Sequence, residues 1–410
     1  MEIQDIPKYY FVRENGSVEG ARVDSFTPET LFSTAGVASH WYDLGESDTY
    51  RIATNLGHEI EGTPEHPLVI MGEDGNLRFK TAKNIKAGDW IPLKTGSQMF
   101  GNYRRLDKEQ SYILGLLTGD GGMTIKDRIC FTTADRELLI ACKNYFQKKY
   151  SCQLQKTKSR KYDYVITSAV VKSELLQSGL SENYSRNKKV PEQIMMAPKE
   201  QVVAFLQGLF DTDGSVYKTG KVEFSTSSKK LAKQVSALLL NLGVMHKFRI
   251  KGNNQYTDSY ILLISGVELI NFSQQVGFRL TRKQEKLNSY LAKIKLRTNV
   301  DLFPAQGIRI LRLWRHLVED GKKPSKYVDE SFHKQICRYA QGGRKPSRES
   351  IKLFLEACVK VDPEIYTNDD FKFLQLMVNS GLFFDRVSKV EEFRGRVYDF
   401  TVSETHSFVS

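Results

Sequence analysis

Two stretches of the chain end alike: Ile113-Leu114-Gly115-Leu116-Leu117-Thr118-Gly119-Asp120-Gly121 and Leu206-Gln207-Gly208-Leu209-Phe210-Asp211-Thr212-Asp213-Gly214. Each reads as an apolar helix closing at Asp-Gly. Gly115 and Gly119 fall on one helix face, as do Gly208 and Thr212, and small residues at that spacing let two helix backbones approach closely. Two such helices side by side would bring Asp120 and Asp213 together. Neighbouring carboxylates repel unless a cation lies between them. A divalent metal meets that need, and hard oxygen ligands suit Mg²⁺ or Mn²⁺. Carboxylates holding such a metal support in-line attack of water on a phosphodiester. A single Asp-Gly helix end is an ordinary stop signal. The second copy, in register and inside a basic region, turns the reading towards chemistry.

The positioning elements repeat as well. Gly115-Leu116 recurs as Gly208-Leu209, Asp120-Gly121 as Asp213-Gly214 and Phe131-Thr132-Thr133 as Phe224-Ser225-Thr226, all at an offset of 93. Farther on, Tyr164-Val165-Ile166 matches Tyr260-Ile261-Leu262 at an offset of 96. Each copy, about 108–190 and 200–290, reads helix, two strands, helix, two strands, helix. In the second, 221–226 is a strand, 227–242 an amphipathic helix, 244–251 and 258–264 a hairpin around Gly252-Asn253-Asn254, and 267–276 a closing helix. Two long copies predict an internal pseudo-two-fold and not a solenoid, which needs shorter and more numerous units.

Outside the repeats the pattern changes. Residues 1–98 read as short strands and turns: 49–54 pairs with 58–61, Pro67-Leu68-Val69-Ile70 runs into a turn, and 86–93 is a turn feeding a strand. Residues 300–384 read as mostly helical, with helices at 308–318, 331–340 and from a Ser347 cap to Val359. The Gly342-Gly343 turn allows a helix-turn-helix or a plain αα-hairpin. Arg338, Arg344, Lys345 and Arg348 lie near that turn and could hold phosphates; a packing domain with a charged face fits equally. Residues 385–410 return to strands. They are expected to join 1–98 in one β domain interrupted by everything between.

Charge follows the same boundaries. Lys+Arg is 60 and Asp+Glu 48, a net of +12. Residues 1–98 net −6, 99–384 net +19 and 385–410 net −1, so the middle is the part that meets a polyanion. No apolar run approaches the roughly 20 residues of a membrane span, and the start lacks the basic and apolar regions of a signal peptide. Five cysteines, Cys130, Cys142, Cys152, Cys337 and Cys358, include no C-x-x-C pair. Thiols in a reducing, intracellular setting are expected.

The paired motifs resemble those of the LAGLIDADG homing endonucleases, a resemblance covering roughly residues 108–290. It implies that Asp120 and Asp213 are the metal-binding catalytic residues, that two sheets sit on the major groove of a long, asymmetric double-stranded DNA site, and that a monomer cuts both strands. Thr118 stands where many members carry an acid, at a variable position. Asn187-Lys188-Lys189-Val190-Pro191 resembles a motif of intein-borne members in which a lysine three residues before proline assists catalysis; that residue is Lys188. Lys283, in the matching place after the second repeat, is its expected partner, with Lys189 and Lys286 as rivals. An ammonium there would stabilise developing charge.

Gly62-Thr63-Pro64-Glu65-His66-Pro67 resembles the T-x-x-H block of the Hint fold of inteins and hedgehog-type domains. Arg396-Val397-Tyr398-Asp399-Phe400-Thr401-Val402 with His406 resembles its late block. This implies that Thr63 and His66 would strain the first splice junction, and that Asp399 and His406 would serve later steps. The segment at 300–384 resembles, more loosely, the DNA-contacting insert of some archaeal inteins. Inteins open with a Cys or Ser nucleophile and close with a His-Asn pair, and the sequence as written has neither. It is therefore expected not to splice. A chain trimmed at both ends is favoured over a split-intein piece or an endonuclease with a Hint remnant.

The expected fold is mixed: an all-β Hint domain interrupted by an α+β pseudo-two-fold domain of αββαββα repeats and a small, mainly α insert. Its boundaries are 1–98, 99–299, 300–384 and 385–410. The expected function is metal-dependent, site-specific cleavage of double-stranded DNA by a cytoplasmic microbial protein. The alternatives are an autoprocessing or split-intein fragment with a dead endonuclease, and a DNA-binding regulator without catalysis.

Overall fold

Strand pairing and helix packing separate the chain into two units, Met1–Ser97 with Arg297–Ser410, and Gln98–Leu296. The computed structural model describes residues 3–28, 30–158, 160–252, 258–294, 301–327 and 330–402. Among these no helix is long and apolar enough to cross a membrane, and all five cysteines are unpaired.

The first unit opens with a 3₁₀ turn and the short helix α1 (Ile6–Tyr9), where strand alone was expected. Pro7, in the first turn of α1, presets the helical φ. Strands β1 (Arg22–Thr27), β2 (Phe32–Thr54), β3 (Glu59–Gly62), β4 (Pro67–Met71), β5 (Leu77–Thr81) and β6 (Trp90–Lys94) follow. Tyr50 to Ala53 pair with β3 as read from sequence. They are, however, only the end of a strand of 23 residues. Its length is sustained by successive partners, and it bends at irregularities. One of these falls beside Gly45, whose φ of +72° supplies the left-handed residue a bulge requires.

The second unit begins with α2 (Lys108–Asp120), β7 (Gly121–Gly122), β8 (Arg128–Thr132), α3 (Arg136–Tyr150), β9 (Gln155–Lys156), β10 (Asp163–Thr167), α4 (Ala169–Gln177) and a short α5 (Glu192–Met195). The path then recurs as α6 (Lys199–Asp213), β11 (Gly214–Tyr217), β12 (Lys221–Thr226), α7 (Lys229–Asn241), β13 (Lys247–Lys251), β14 (Ser259–Ser265) and α8 (Glu268–Gln275), followed by α9 (Thr281–Leu291). Two antiparallel four-stranded sheets result, ordered β7-β8-β10-β9 and β11-β12-β14-β13. Alternation drives them: Val222 and Phe224 on β12, like Leu262 and Ile264 on β14, are buried, while Lys221 is exposed. Asp107 caps α2 and Ser228 caps α7 through side-chain acceptors. Of the expected hairpin turn, Asn253 and Asn254 lie outside the described residues.

The chain then returns to the first unit with α10 (Gly307–Glu319), α11 (Glu330–Ala340), α12 (Arg348–Val361), α13 (Asp369–Asn379) and β15 (Leu382–Val402). Ser347 caps α12 by accepting from the Ser350 amide. Phe303, Ile310, Leu313, Ile336, Phe354 and Leu374 share one core with Phe26, Met71 and Phe384. The helices are thus buried against the strands. β15 pairs with β6 at its start and with β2 along the rest, giving a seven-stranded sheet ordered β1-β2-β15-β6-β4-β5 with β3 attached to β2.

Candidate active site

Helices α2 and α6 meet at their glycines. A Cβ on Gly115 would fall 2.1 Å from the Phe205 carbonyl oxygen, and one on Gly208 would fall 2.2 Å from that of Tyr112. The two backbones touch where any other residue would force them apart. A Cβ on Gly119 would lie 2.0 Å from Thr212 Oγ1 and 3.2 Å from Asp213 Oδ1. The contact therefore runs to the helix ends. Asp120 and Asp213 are the last helical residues, followed by the cap glycines Gly121 and Gly214.

A carboxylate at a helix C-terminus faces the negative end of the dipole, and here there are two. Burial raises the Asp120 carboxyl above its ordinary value, against the pull of Lys188 and Lys283. Burial and then Asp120 push Asp213 up to about 7, against the same two lysines. Each lysine caps one helix. Lys188 Nζ donates to the Gly119 and Gly121 carbonyls of the first motif. Lys283 Nζ donates to Phe210 O at 2.9 Å and Asp211 O at 2.6 Å, and also to Thr212 O and Gly214 O. Burial lowers Lys188, opposed by Asp213 and Asp120. Burial lowers Lys283 to about 8, opposed first by Asp211. The rival Lys286 is exposed.

Each lysine is braced by the other repeat. Ser228 Oγ, at the start of α7, donates to Lys188 O at 2.6 Å, and Val190 N donates to Gln234 Oε1 at 2.9 Å. The start of α9, which carries Lys283, docks on the start of α3: Arg282 donates twice to Asp135, both at 2.8 Å, and Thr281 Oγ1 donates to Glu137 at 2.7 Å. Asp211 is a further group that no local sequence pattern singles out. It accepts from Tyr112 OH at 2.8 Å and from the amides of Arg279 and Leu280 at 3.3 and 3.1 Å. The available signal was the mismatch with Thr118 at the matching position, whose hydroxyl turns back to Leu114 O.

The donors fit a hard divalent cation. Two carboxyls with raised pKa values stand at the C-terminal ends of two helices, where the dipoles favour a cation. Among the described residues no cluster of three or more Asp, Glu, His or Cys is placed to hold a metal. Asp120 and Asp213 would be its protein ligands, leaving positions for water and phosphate oxygens, as Mg²⁺ prefers.

The other sequence-selected residues lie in the first unit. Thr63 and His66 bound the turn between β3 and β4, where the His66 amide donates to Thr63 O at 3.0 Å. Asp399 pairs with Tyr42 across β15 and β2, and accepts from the Phe400 amide. His406 lies outside the described residues. The four phosphate candidates separate. Arg338 and Arg344 are exposed, and Lys345 Nζ stands 5.3 Å from the Trp90 ring centroid. Arg348 corrects the expectation. Its guanidinium binds Asp301, Val378 O and Leu382 O and stacks over Phe303. Those bonds commit it to tying α12 to β15, not to a ligand.

Residues 200–277 match the model of a LAGLIDADG-like domain. The chain carries a LAGLIDADG-like domain. The match falls on the second repeat, from the start of α6 to the end of α8. Over longer spans the chain is similar to several curated proteins. It is 28% identical over 268 residues to the replication factor C small subunit of Methanocaldococcus jannaschii, covering 64% of this chain and 14% of that protein. It is 27% identical over 318 residues to a DNA gyrase polypeptide of Mycobacterium leprae, covering 73% and 24%. It is 25% identical over 430 aligned positions to the replicative DNA helicase DnaB of Rhodothermus marinus, covering 97% and 43%. The chain thus spans less than half the length of each. Similar solved structures include the homing endonuclease I-DmoI, at 22% identity and TM-score 0.33, covering 41% of this chain and 94% of that one. An Ssp DnaB mini-intein gives 18% identity and TM-score 0.18, covering 23% and 51%.

Proposed function

We propose that the chain is a divalent-metal-dependent, site-specific double-strand DNA endonuclease acting inside the cell as a monomer. One observation carries the reading. Two mutually packed helices each end in an aspartate, and the terminal carbonyls of each are capped by a lysine ammonium. One carboxylate–lysine pair per strand matches the need to hydrolyse two phosphodiesters. When bound, a divalent cation such as Mg²⁺ or Mn²⁺ supplies charge neutralisation and an activated water. Asp120 and Asp213 would hold it. Among the described residues Lys188 spends donors on only two carbonyls, which leaves a third for a phosphate oxygen or the attacking water. Lys283 acts as fixed positive charge at the end of α6. Lys221, Lys247, Arg249 and Lys251 share one face of the second sheet by strand register, and would follow the phosphates of a long, asymmetric site.

A second reading concerns the setting. Replication factor C, gyrase and DnaB have different tasks, yet this one chain aligns with part of each. A segment common to such different hosts is best explained as an inserted element. With Thr63, His66 and Asp399 in the first unit, an intein is the reading it supports. In the whole parent protein, His66→Ala would then block joining of the flanks, measured by mass spectrometry; unaltered joining would refute it.

The endonuclease reading is tested on a duplex recovered by binding selection from a random library and placed in a plasmid. Wild type with Mg²⁺ is expected to linearise it. Retarded gel bands with intact DNA would establish a regulator instead.

A further inference from the structure

We infer that Asp211 is a positioning residue that holds Lys283 in place, so that its loss slows cleavage of one DNA strand and spares the other. The inference rests on the endonuclease reading and assigns a task to a buried acid that reading does not use.

The geometry is a clamp with three arms. Asp211 lies in the last turn of α6, only 1% exposed. One oxygen accepts from the Leu280 amide at 3.1 Å; the other accepts from the Arg279 amide at 3.3 Å and the Tyr112 hydroxyl at 2.8 Å. Leu280 is the residue just before α9, and Lys283 lies in that helix's first turn. The carboxylate therefore ties the start of α9 to the end of α6, while Tyr112, on α2, fixes the carboxylate from the first repeat. Arg279 closes the third arm, its guanidinium 4.3 Å from the centroid of the Tyr112 ring and its Nε donating to Gln207 Oε1 at 2.8 Å. Lys283 Nζ then reaches the backbone oxygen of Asp211 itself. Among the described residues the first repeat has no counterpart. Thr118 is buried at the matching position and bonds within α2. Lys188 follows a 3₁₀ turn, Ser185–Asn187, whose residues are exposed. A side chain that fixes two amides and a helix start preorganises what that helix carries, and here it does so for one half of the site.

The test follows both strands of the selected duplex in a supercoiled plasmid with Mg²⁺. Wild type passes through nicked circles to linear DNA. Asp211→Ala should accumulate nicked circles, with one strand slowed on the order of tenfold relative to the other. Asp211→Asn keeps one acceptor oxygen but turns an NH₂ towards the amide the other oxygen served, so it cannot hold both and should shift the strand ratio in the same direction as alanine. Tyr112→Phe, which removes one arm, should shift the same ratio less. Equal slowing of both strands by Asp211→Ala, or an unchanged strand ratio in Asp211→Asn, overturns the inference. Should Asp211→Ala fail to fold, Tyr112→Phe decides alone: an unchanged strand ratio refutes the role. If wild type cuts neither strand, the endonuclease reading fails. The clamp is then judged without metal by hydrogen exchange, where the Arg279 and Leu280 amides should exchange at least tenfold faster in Tyr112→Phe or Asp211→Ala than in wild type, and unchanged rates refute it.

Discussion

The first repeat ends α2 on Asp120 with Thr118 bonded inside its own helix; the second ends α6 on Asp213 with Asp211 bonded to three groups from elsewhere. The lysines differ in the same sense. Lys188 meets two carbonyls and follows an exposed turn, whereas Lys283 meets four and sits in the first turn of a helix. The sheets differ too, since β9 has two residues and β13 has five. The duplicated path preserved the parts that meet at the symmetry axis, Gly115 with Gly208 and Asp120 with Asp213. It let the outer supports diverge.

The largest effect should come from breaking what the halves share. Gly208→Val would drive a side chain into the Tyr112 carbonyl and should cost the second unit about 3 kcal/mol, from overpacking at a backbone contact. Urea unfolding of the variant reads this, and an unchanged midpoint would refute the close approach.

Next come the lysines, which separate the halves. Lys283→Met removes the ammonium from four carbonyls, of which Phe210 O keeps the Gly214 amide, and should lower stability by about 2 kcal/mol, together with cleavage. Lys188→Met should lower cleavage with less than about 1 kcal/mol lost. Equal destabilisation by the two variants would erase the difference between them.

The smallest effect is set by pH. Hydrogen bonds from Arg282, outweighing burial, hold the Asp135 carboxyl below its ordinary value of 3.8. A carboxylate depressed in the folded state stabilises above its unfolded pKa, and that contribution is lost as pH falls through the lower, folded value. Arg282 is well exposed, so solvent screens the pair and the loss should stay below about 1 kcal/mol. The Lys188 dock on α7 uses the neutral groups of Ser228 and Gln234. Acidification below 3.8 should therefore speed hydrogen exchange at Thr281 before it does so at Val190.

Much of this was legible in the sequence. The offset of 93 disclosed the duplicated path, and glycine spacing disclosed which helix faces touch. Glycine and proline turns bounded most of the elements. Other features were hidden for physical reasons. The Tyr112–Asp211 bond joins residues 99 apart, and no local pattern announces a tertiary partner. Arg348 looked like a phosphate ligand because its acceptors, Asp301 and the carbonyls of Val378 and Leu382, are distant in sequence or backbone. The long strands β2 and β15 looked like several short ones because bulges interrupt alternation without ending pairing. The helices at 307–379 looked separate because their shared core draws on Phe26, Met71 and Phe384, which lie outside that segment.

In the proposed function two carboxylates, one from each helix end, jointly serve a metal that cuts DNA. The most direct test of this is cleavage of the selected duplex by wild type, Asp120→Asn and Asp213→Asn, each with Mg²⁺ and with chelator. Linear product is expected from wild type with Mg²⁺ alone, and a loss of about a thousandfold in either variant. Full cleavage by Asp213→Asn, or by wild type in chelator, would contradict it.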